Sequence, residues 1–234
     1  MTPEGISFLQ NTYNIPDTAP GPRFATTGSS GPTALNQSSF ATGQQQRAMN
    51  VYAETTIVCP SYWLAIAFPT SWKYQFSPPP GEHASDLNAY YSSTFRDPGI
   101  NTISTAFRTA MQLIWGRFII NNDPTLPTSV IKNITTASDG SSTGDDINAA
   151  GTGSWPGFKG DSSGHGGYQM LNLNMTGGTP TLYLYQTPDD SYNVTENLGA
   201  GLEAKFDIVD SFHWEGGRGE RCLDWAWVGP MVPQ

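Results

Sequence analysis

The spacing of apolar positions divides the chain into stretches of different character. Residues 1–40 form a Gly/Ser/Thr-rich run punctuated by Pro16, Pro20, Pro22 and Pro32, the composition of irregular surface. One short helix is expected there, from Ser7 to Tyr13. From residue 41 the signal sharpens. Gln44 to Thr55 suits a helix with Ala48, Val51 and Tyr52 on one side. Pro60 fits the first turn of a second helix, Pro60 to Phe68, where its missing N–H costs nothing. Tyr62, Trp63, Ile66 and Ala67 make that second helix apolar nearly all round, which predicts burial. Trp72, Tyr74 and Phe76 then alternate with Lys73 and Gln75, the period of a strand. Ser77-Pro78-Pro79-Pro80-Gly81 ends it, since no strand or helix continues through three prolines.

The clearest helix spans Asn101 to Asn121. Ile103, Phe107, Ala110, Met111, Ile114, Trp115, Phe118 and Ile119 line one face, and Asp123-Pro124 stops it. Residues 41–121 therefore read as helix–strand–loop–helix, the unit of an α/β fold. Residues 122–167 are low-complexity and rich in Gly, Ser, Thr, Asn and Asp, a long surface excursion interrupted by Trp155-Pro156 and Phe158. In the tail, residues 168–234, short strands are expected at Tyr168–Asn174 and Thr181–Tyr185. A last helix is expected from Leu202 to Trp214, with Phe206, Val209 and Phe212 inward and Gly216-Gly217 as its stop.

Charge narrows the classes of function. Across 234 residues, 11 basic side chains face 20 acidic ones, a net of -9. That balance excludes the positive footprint of a nucleic-acid or anionic-membrane binder. No run of 18 apolar residues exists, so no transmembrane segment is expected; the longest stretch, Ile57 to Phe68, is broken by Cys59, Pro60 and Ser61. Four Asn-x-Ser/Thr sequons, at Asn36, Asn133, Asn174 and Asn193, and a polarity built from Ser, Thr, Asn and Gln suit an extracellular protein. The opening MTPEGISFLQ has neither the basic nor the apolar region of a signal peptide, so the expectation is a secreted protein whose leader lies outside this chain. Two cysteines, Cys59 and Cys222, are present. In an oxidising compartment two thiols usually pair, and closing so long a loop is worth roughly 5 kcal/mol in the chain-entropy account. Two separate buried thiols are the alternative.

Three histidines, His83, His165 and His213, are the natural proton carriers near neutral pH. His165 lies in a Gly-rich loop, and His213 near the end of the expected last helix, where the dipole favours an imidazolium. His83 follows the expected strand on the proline-stiffened loop, where α/β folds carry catalytic groups. Two G-x-S-x-G matches, at Gly140–Gly144 around Ser142 and at Gly160–Gly164 around Ser162, lack the strand before and helix after that a nucleophile elbow needs. Both follow His83, whereas an α/β-hydrolase serine precedes its histidine. No C-x-x-C, H-E-x-x-H or EF-hand pattern appears, and no Gly-rich phosphate loop, so no cofactor or metal is implied.

The words of the sequence carry a resemblance. FATTGSSGPTALNQSSFATGQQQRAMNVYAETTIVCPSYWLAIAF, Phe24 to Phe68, is similar to the segment before the last catalytic strand of type-B carboxylesterases and lipases, in their secreted filamentous-fungal branch. WKYQFSPPPGEHASDL, Trp72 to Leu87, resembles the strand and loop that carry the triad histidine. FRTAMQLIWGRFIINNDP resembles the helix that follows, and YQMLNLNMTGGTP and FHWEGGRGERC resemble the C-terminal tail. The resemblance implies an α/β class chain, the C-terminal part of an α/β-hydrolase fold, acting on a small-molecule or lipid ester. It matches His83 to the triad histidine and Asp86 to an acidic residue of structural role; Ala84 departs from a common Gly. The family's serine elbow, oxyanion loop and triad glutamate have no counterpart here. Glu4 matches a helix start, and Glu82 adjoins His83 too closely to orient it. The chain is therefore expected to supply the histidine only and to be inactive by itself. The alternatives are a non-catalytic hydrolase-like binding or scaffold module, or an independent serine hydrolase using Ser142 or Ser162.

Overall fold

The computed structural model describes residues 2–13, 48, 50–78, 85–91, 103–127, 130, 155–159, 167–186 and 191–229. Helix α1, Pro3–Thr12, starts earlier than its apolar residues suggest. Thr2 caps it by accepting from the Gly5 N–H at 3.2 Å, Pro3 occupies the first turn, and Glu4 meets the positive end of the dipole.

The expected break between two helices around Pro60 is absent. Residues 50–53 are helical, a π-turn spans Glu54–Val58, and α2, Cys59–Ala67, follows with helical dihedrals at Val58 (φ -70°, ψ -55°). Pro60 has no N–H for the carbonyl four residues back, and its ring crowds that carbonyl. The wider turn absorbs the conflict. Two threonines of the turn bond back to the preceding helical turn: the Thr55 hydroxyl donates to Val51 O at 2.8 Å and the Thr56 hydroxyl to Tyr52 O at 2.6 Å.

Strand β1, Tyr74–Phe76, pairs in parallel with β2, Gln169–Gln186, and β2 pairs antiparallel with β3, Ser191–Asp210, in the order β1-β2-β3. Two expectations are corrected here. The two short strands of the tail are one: Gly177-Gly178, with φ of 75° and 72°, carry β2 through a register irregularity, where the extra residues lie in β3, rather than ending it in a turn. The helix expected at Leu202–Trp214 is β3. Leu202, Ala204 and Phe206 are buried while Glu203 is exposed, a period of two. The three-residue spacing of Phe206, Val209 and Phe212 imitated a helix face. The last helix, α5, is Trp214–Val228, so Gly216-Gly217 open it instead of closing it. A Cβ on Gly219 would stand 2.5 Å from Phe212 Cα and 2.9 Å from Ser211 O, so only glycine lets α5 turn back this tightly on the end of β3.

Helices cover both faces of the sheet. On one, Phe107, Ala110, Met111 and Ile114 of α4, Thr105–Asn121, bury against Leu171, Leu173, Leu202, Ala204 and Phe206. Ser104 caps α4 by accepting from Phe107 N at 3.1 Å, and Asn122, left-handed at φ 54°, ends it. Its apolar face is buried only in part: Ile119 is 75% exposed and Ile120 82%. On the other face α2 and α5 enclose a second core of Tyr13, Cys59, Tyr62, Phe158, Cys222, Trp225 and Val228. Cys59 and Cys222 form a disulfide there, with Cα atoms 4.9 Å apart. Lys73 and Gln75, the polar side of the alternation, face this layer: Lys73 Nζ donates to Ser61 Oγ at 2.6 Å and lies 4.2 Å from the Tyr62 ring centre. No helix among the described residues is long and apolar enough to cross a membrane.

Candidate functional site

His83 lies outside the described residues, but the chain on either side of it, up to Pro78 and from Ser85, is described. At the outgoing stem, Ser77 N–H donates to Leu173 O at 2.8 Å, continuing the parallel ladder one step beyond β1. The Ser77 hydroxyl donates to Asn172 Oδ1 at 2.6 Å and accepts from Gln75 Nε2 at 3.1 Å. At the returning stem, Ser85 is buried and Asp86 opens the single-turn helix α3, Leu87–Tyr90. Ala89 N–H donates to Asp86 O at 2.9 Å. Helix α4 holds this turn: Arg108 Nε donates to Asn88 O at 3.2 Å and Gln112 Nε2 to Tyr90 O at 3.0 Å.

A tyrosine pair ties the two stems together. Tyr74 of β1 and Tyr90 of α3 share a hydrogen bond of 2.5 Å, and the Trp115 ring stands nearly perpendicular to both. Burial pushes the Tyr90 hydroxyl well above the usual tyrosine range, and the neighbouring Tyr74 hydroxyl and Asp86 carboxylate push it further. Burial also raises Tyr74, against the lowering effect of its bonds to Tyr90 and Trp115. Both phenols are thus neutral donors across the physiological range. Asp86 is placed beside this pair, where its carboxylate disfavours a Tyr90 phenolate.

Beneath the outgoing stem lies a buried ionic cluster. Arg221 of α5 donates from Nη2 to Glu54 Oε1 at 2.6 Å and from Nε to both carboxylate oxygens. Tyr13 donates its hydroxyl to Glu54 Oε2 and accepts from Trp225 Nε1 at 2.6 Å. Burial, then the Glu54 carboxylate, drive the Tyr13 hydroxyl far above its ordinary value. Arg218 adds an ion pair to Glu54 at 3.5 Å and donates from Nη1 to Gln75 Oε1 at 3.1 Å. Sequence reasoning missed Glu54, Arg218 and Arg221. The carboxylate and the guanidinium groups are more than 160 residues apart, and no local period marks them.

His213 is not near a helix C-terminus, as its expected place implied, but at the N-cap of α5, where the dipole opposes a cation. What raises its pKa is the hydrogen bond from Nδ1 to Asp210 Oδ2 at 2.8 Å, helped by Glu220 at 3.5 Å from Nε2. His165, Ser142 and Ser162 lie outside the described residues, as do the sequons at Asn36 and Asn133. Asn193 lies in β3. Asn174 is 3% exposed in β2 and its Oδ1 accepts from Met175 N at 2.8 Å, which leaves no room for a glycan on the folded chain. Among the described residues no group of His, Cys, Asp and Glu is arranged to hold a metal ion. No family model, curated protein or solved structure matches this chain.

Proposed function

We propose that this chain is the histidine-bearing portion of a secreted carboxylic-ester hydrolase, with His83 as the general base of acyl transfer. One observation carries the reading: β1, paired in parallel, ends at Ser77 just before His83 in sequence, and the chain after His83 enters a turn held by α4. Loops leaving the carboxyl ends of parallel strands are where α/β enzymes place their reacting groups. The resemblance of Trp72 to Leu87 to the histidine loop of type-B carboxylesterases supports the same assignment. The Cys59–Cys222 disulfide suits an extracellular setting.

In this mechanism a serine hydroxyl attacks the ester carbonyl while His83 takes its proton. His83 returns that proton to the departing alcohol, and water then repeats the sequence on the acyl-enzyme. A glutamate holds the imidazole. The resemblance matches no residue of this chain to the serine, the glutamate or the oxyanion donors. The substrate class is a small-molecule or lipid ester. The 234-residue chain is therefore expected neither to hydrolyse p-nitrophenyl esters nor to react with a serine-directed phosphonate. Phosphonate labelling of Ser142 or Ser162 with matching turnover would replace this reading with an independent serine hydrolase.

A further inference from the structure

Past the core, β2 and β3 continue as a two-stranded ribbon. β1 pairs with β2 only at residues 171–173, and the core on the α4 face ends at Met175 and Leu202. Beyond the register irregularity, residues 179–186 pair with residues 191–198, from Thr179 opposite Leu198 to Gln186 opposite Ser191. Among the described residues, neither core has a member in this ribbon. Residues paired across an antiparallel ladder share a face, and so do residues two apart on one strand. Pro180, Leu182 and Leu184 therefore occupy one face together with their partners Asn197, Thr195 and Asn193. That face is open: Pro180 is exposed, as are Leu182 at 68% and Leu184 at 52%.

The ribbon carries little of the protection such a structure usually has. Its outer edges are unpaired among the described residues, and open edges are normally blunted by charge or proline. Residues 179–186 hold no charge and one proline, Pro180, and residues 191–198 hold a single charge, Glu196. Two leucines side by side on an open strand face invite pairing with another chain. Directly across from them runs Asn193-Val194-Thr195, an acceptor sequence for an N-linked glycan. The register sets Asn193 opposite Leu184 and Thr195 opposite Leu182, so both defining residues of the sequon belong to the leucine face. Asn174 is the contrast: it heads a sequon in the same pair of strands, but at 3% exposed it lies within the sheet.

We propose that Asn193 carries an N-linked glycan that shields the Leu182 and Leu184 face of the ribbon. The donor is an oligosaccharide on a lipid diphosphate. Asn193 Nδ2 bonds to C1 of the first sugar, the C1–O bond to the diphosphate breaks, and the amide loses one proton as the lipid diphosphate leaves. A bulky, hydrated group then stands where the strands offer no charge. The inference shares only the secretory setting with the ester-hydrolase reading, and Asn193 takes no part in the chemistry of His83. For the test, the chain is expressed behind a secretion leader in a glycosylating eukaryotic host. Its sites are mapped by enzymatic deglycosylation in heavy-oxygen water and peptide mass spectrometry. Folded, disulfide-bonded material should be occupied at Asn193 and free at Asn174. Asn193→Gln and Thr195→Ala should each lose that glycan, and Thr195→Ser should keep it. Loss of the glycan should raise ANS binding and self-association, and Leu182→Ser with Leu184→Ser in the Asn193→Gln chain should reverse both. Where a variant is not secreted, translation with microsomes reads the same site, because transfer precedes folding: Asn193→Gln should remove one glycan from the gel shift. An unoccupied Asn193 overturns the proposal, and so does an occupied one whose loss leaves ANS binding and self-association unchanged. If Asn193 is occupied and shields the leucines while His83→Ala leaves the ester hydrolysis of the longer protein intact, the glycan stands and the catalytic reading fails.

Discussion

Arg221 holds the Glu54 carboxylate through three hydrogen bonds, one from Nη2 at 2.6 Å and two from Nε at 3.0 and 3.1 Å, across 167 residues of sequence. Both side chains are almost fully buried, so neither charge has water to fall back on. Removing one partner of such a pair strands the other and costs about 3–5 kcal/mol. Arg221→Met should lower the melting temperature by roughly 6–20 °C for a chain of this size. Replacing both residues with apolar ones should cost less than the sum of the single changes. Thermal denaturation of the two single variants and the double variant checks this, and additive losses would contradict it.

The disulfide acts on the same helices. Cys59 and Cys222 are at most 1% exposed, and together they join the N-terminus of α2 to the middle of α5. Non-reducing peptide mapping should recover the linked pair, and mild reductant should leave it intact until the chain unfolds. Replacing both cysteines with alanine should cost about 2–5 kcal/mol. Two freely alkylated thiols in native protein would contradict the arrangement.

At the junction of β3 and α5, His213 and Asp210 titrate in opposite directions. The hydrogen bond to Asp210, the nearby carboxylates acting with it, raises the His213 pKa. Its stabilising share is complete below the unfolded value of about 6.5 and fades as pH rises through the higher folded value. Burial works to raise Asp210, but its bonds to the His213 ring and to the Phe212 and His213 N–H groups outweigh that and lower it. Its share is present above the unfolded value and fades as pH falls through the lower folded one. The difference in melting temperature between the wild type and His213→Ala should therefore be small, positive near pH 5.5, and shrink toward pH 8. A difference that grows with pH would contradict the assignment. Both groups are exposed, so salt should weaken the effect.

How much of this was legible in the sequence depends on whether a residue's partner is local. The face of α4 from Phe107 to Ile114 and the alternation of β1 are written in neighbours three, four or two apart, and both could be read directly. For β3, two periods compete in one segment: Phe206, Val209 and Phe212 suggest a helix, while Leu202, Ala204 and Phe206 mark the buried side of a strand. Pairing with β2 decides between them, and pairing is not a local property. The alternation marked Lys73 and Gln75 as one side of a strand, but not their partners Ser61, Tyr62 and Arg218, which come from distant parts of the chain. Of the candidate site, the strand that precedes His83 in sequence was legible, and the support under Ser77 was not.

The exposed end of α4 makes a further expectation concrete. Trp115, Phe118, Ile119 and Ile120 are between 38% and 82% exposed on the last turns of the helix. Such a run should bind ANS and promote self-association. Ile119→Lys with Ile120→Glu should reduce both without lowering the melting temperature, because neither side chain is packed in a core. A loss of several degrees would show that these residues are covered in solution.

The role of His83 is tested most directly in the reading frame continued upstream of Met1. The account predicts that this frame encodes a strand–G-x-S-x-G–helix element and that the joined protein hydrolyses p-nitrophenyl esters. His83→Ala should then lower kcat by roughly 10⁴–10⁶-fold with the fold intact. An upstream frame without a serine elbow, or a His83→Ala enzyme within about tenfold of the wild type, a barrier change of only 1.4 kcal/mol, would contradict it.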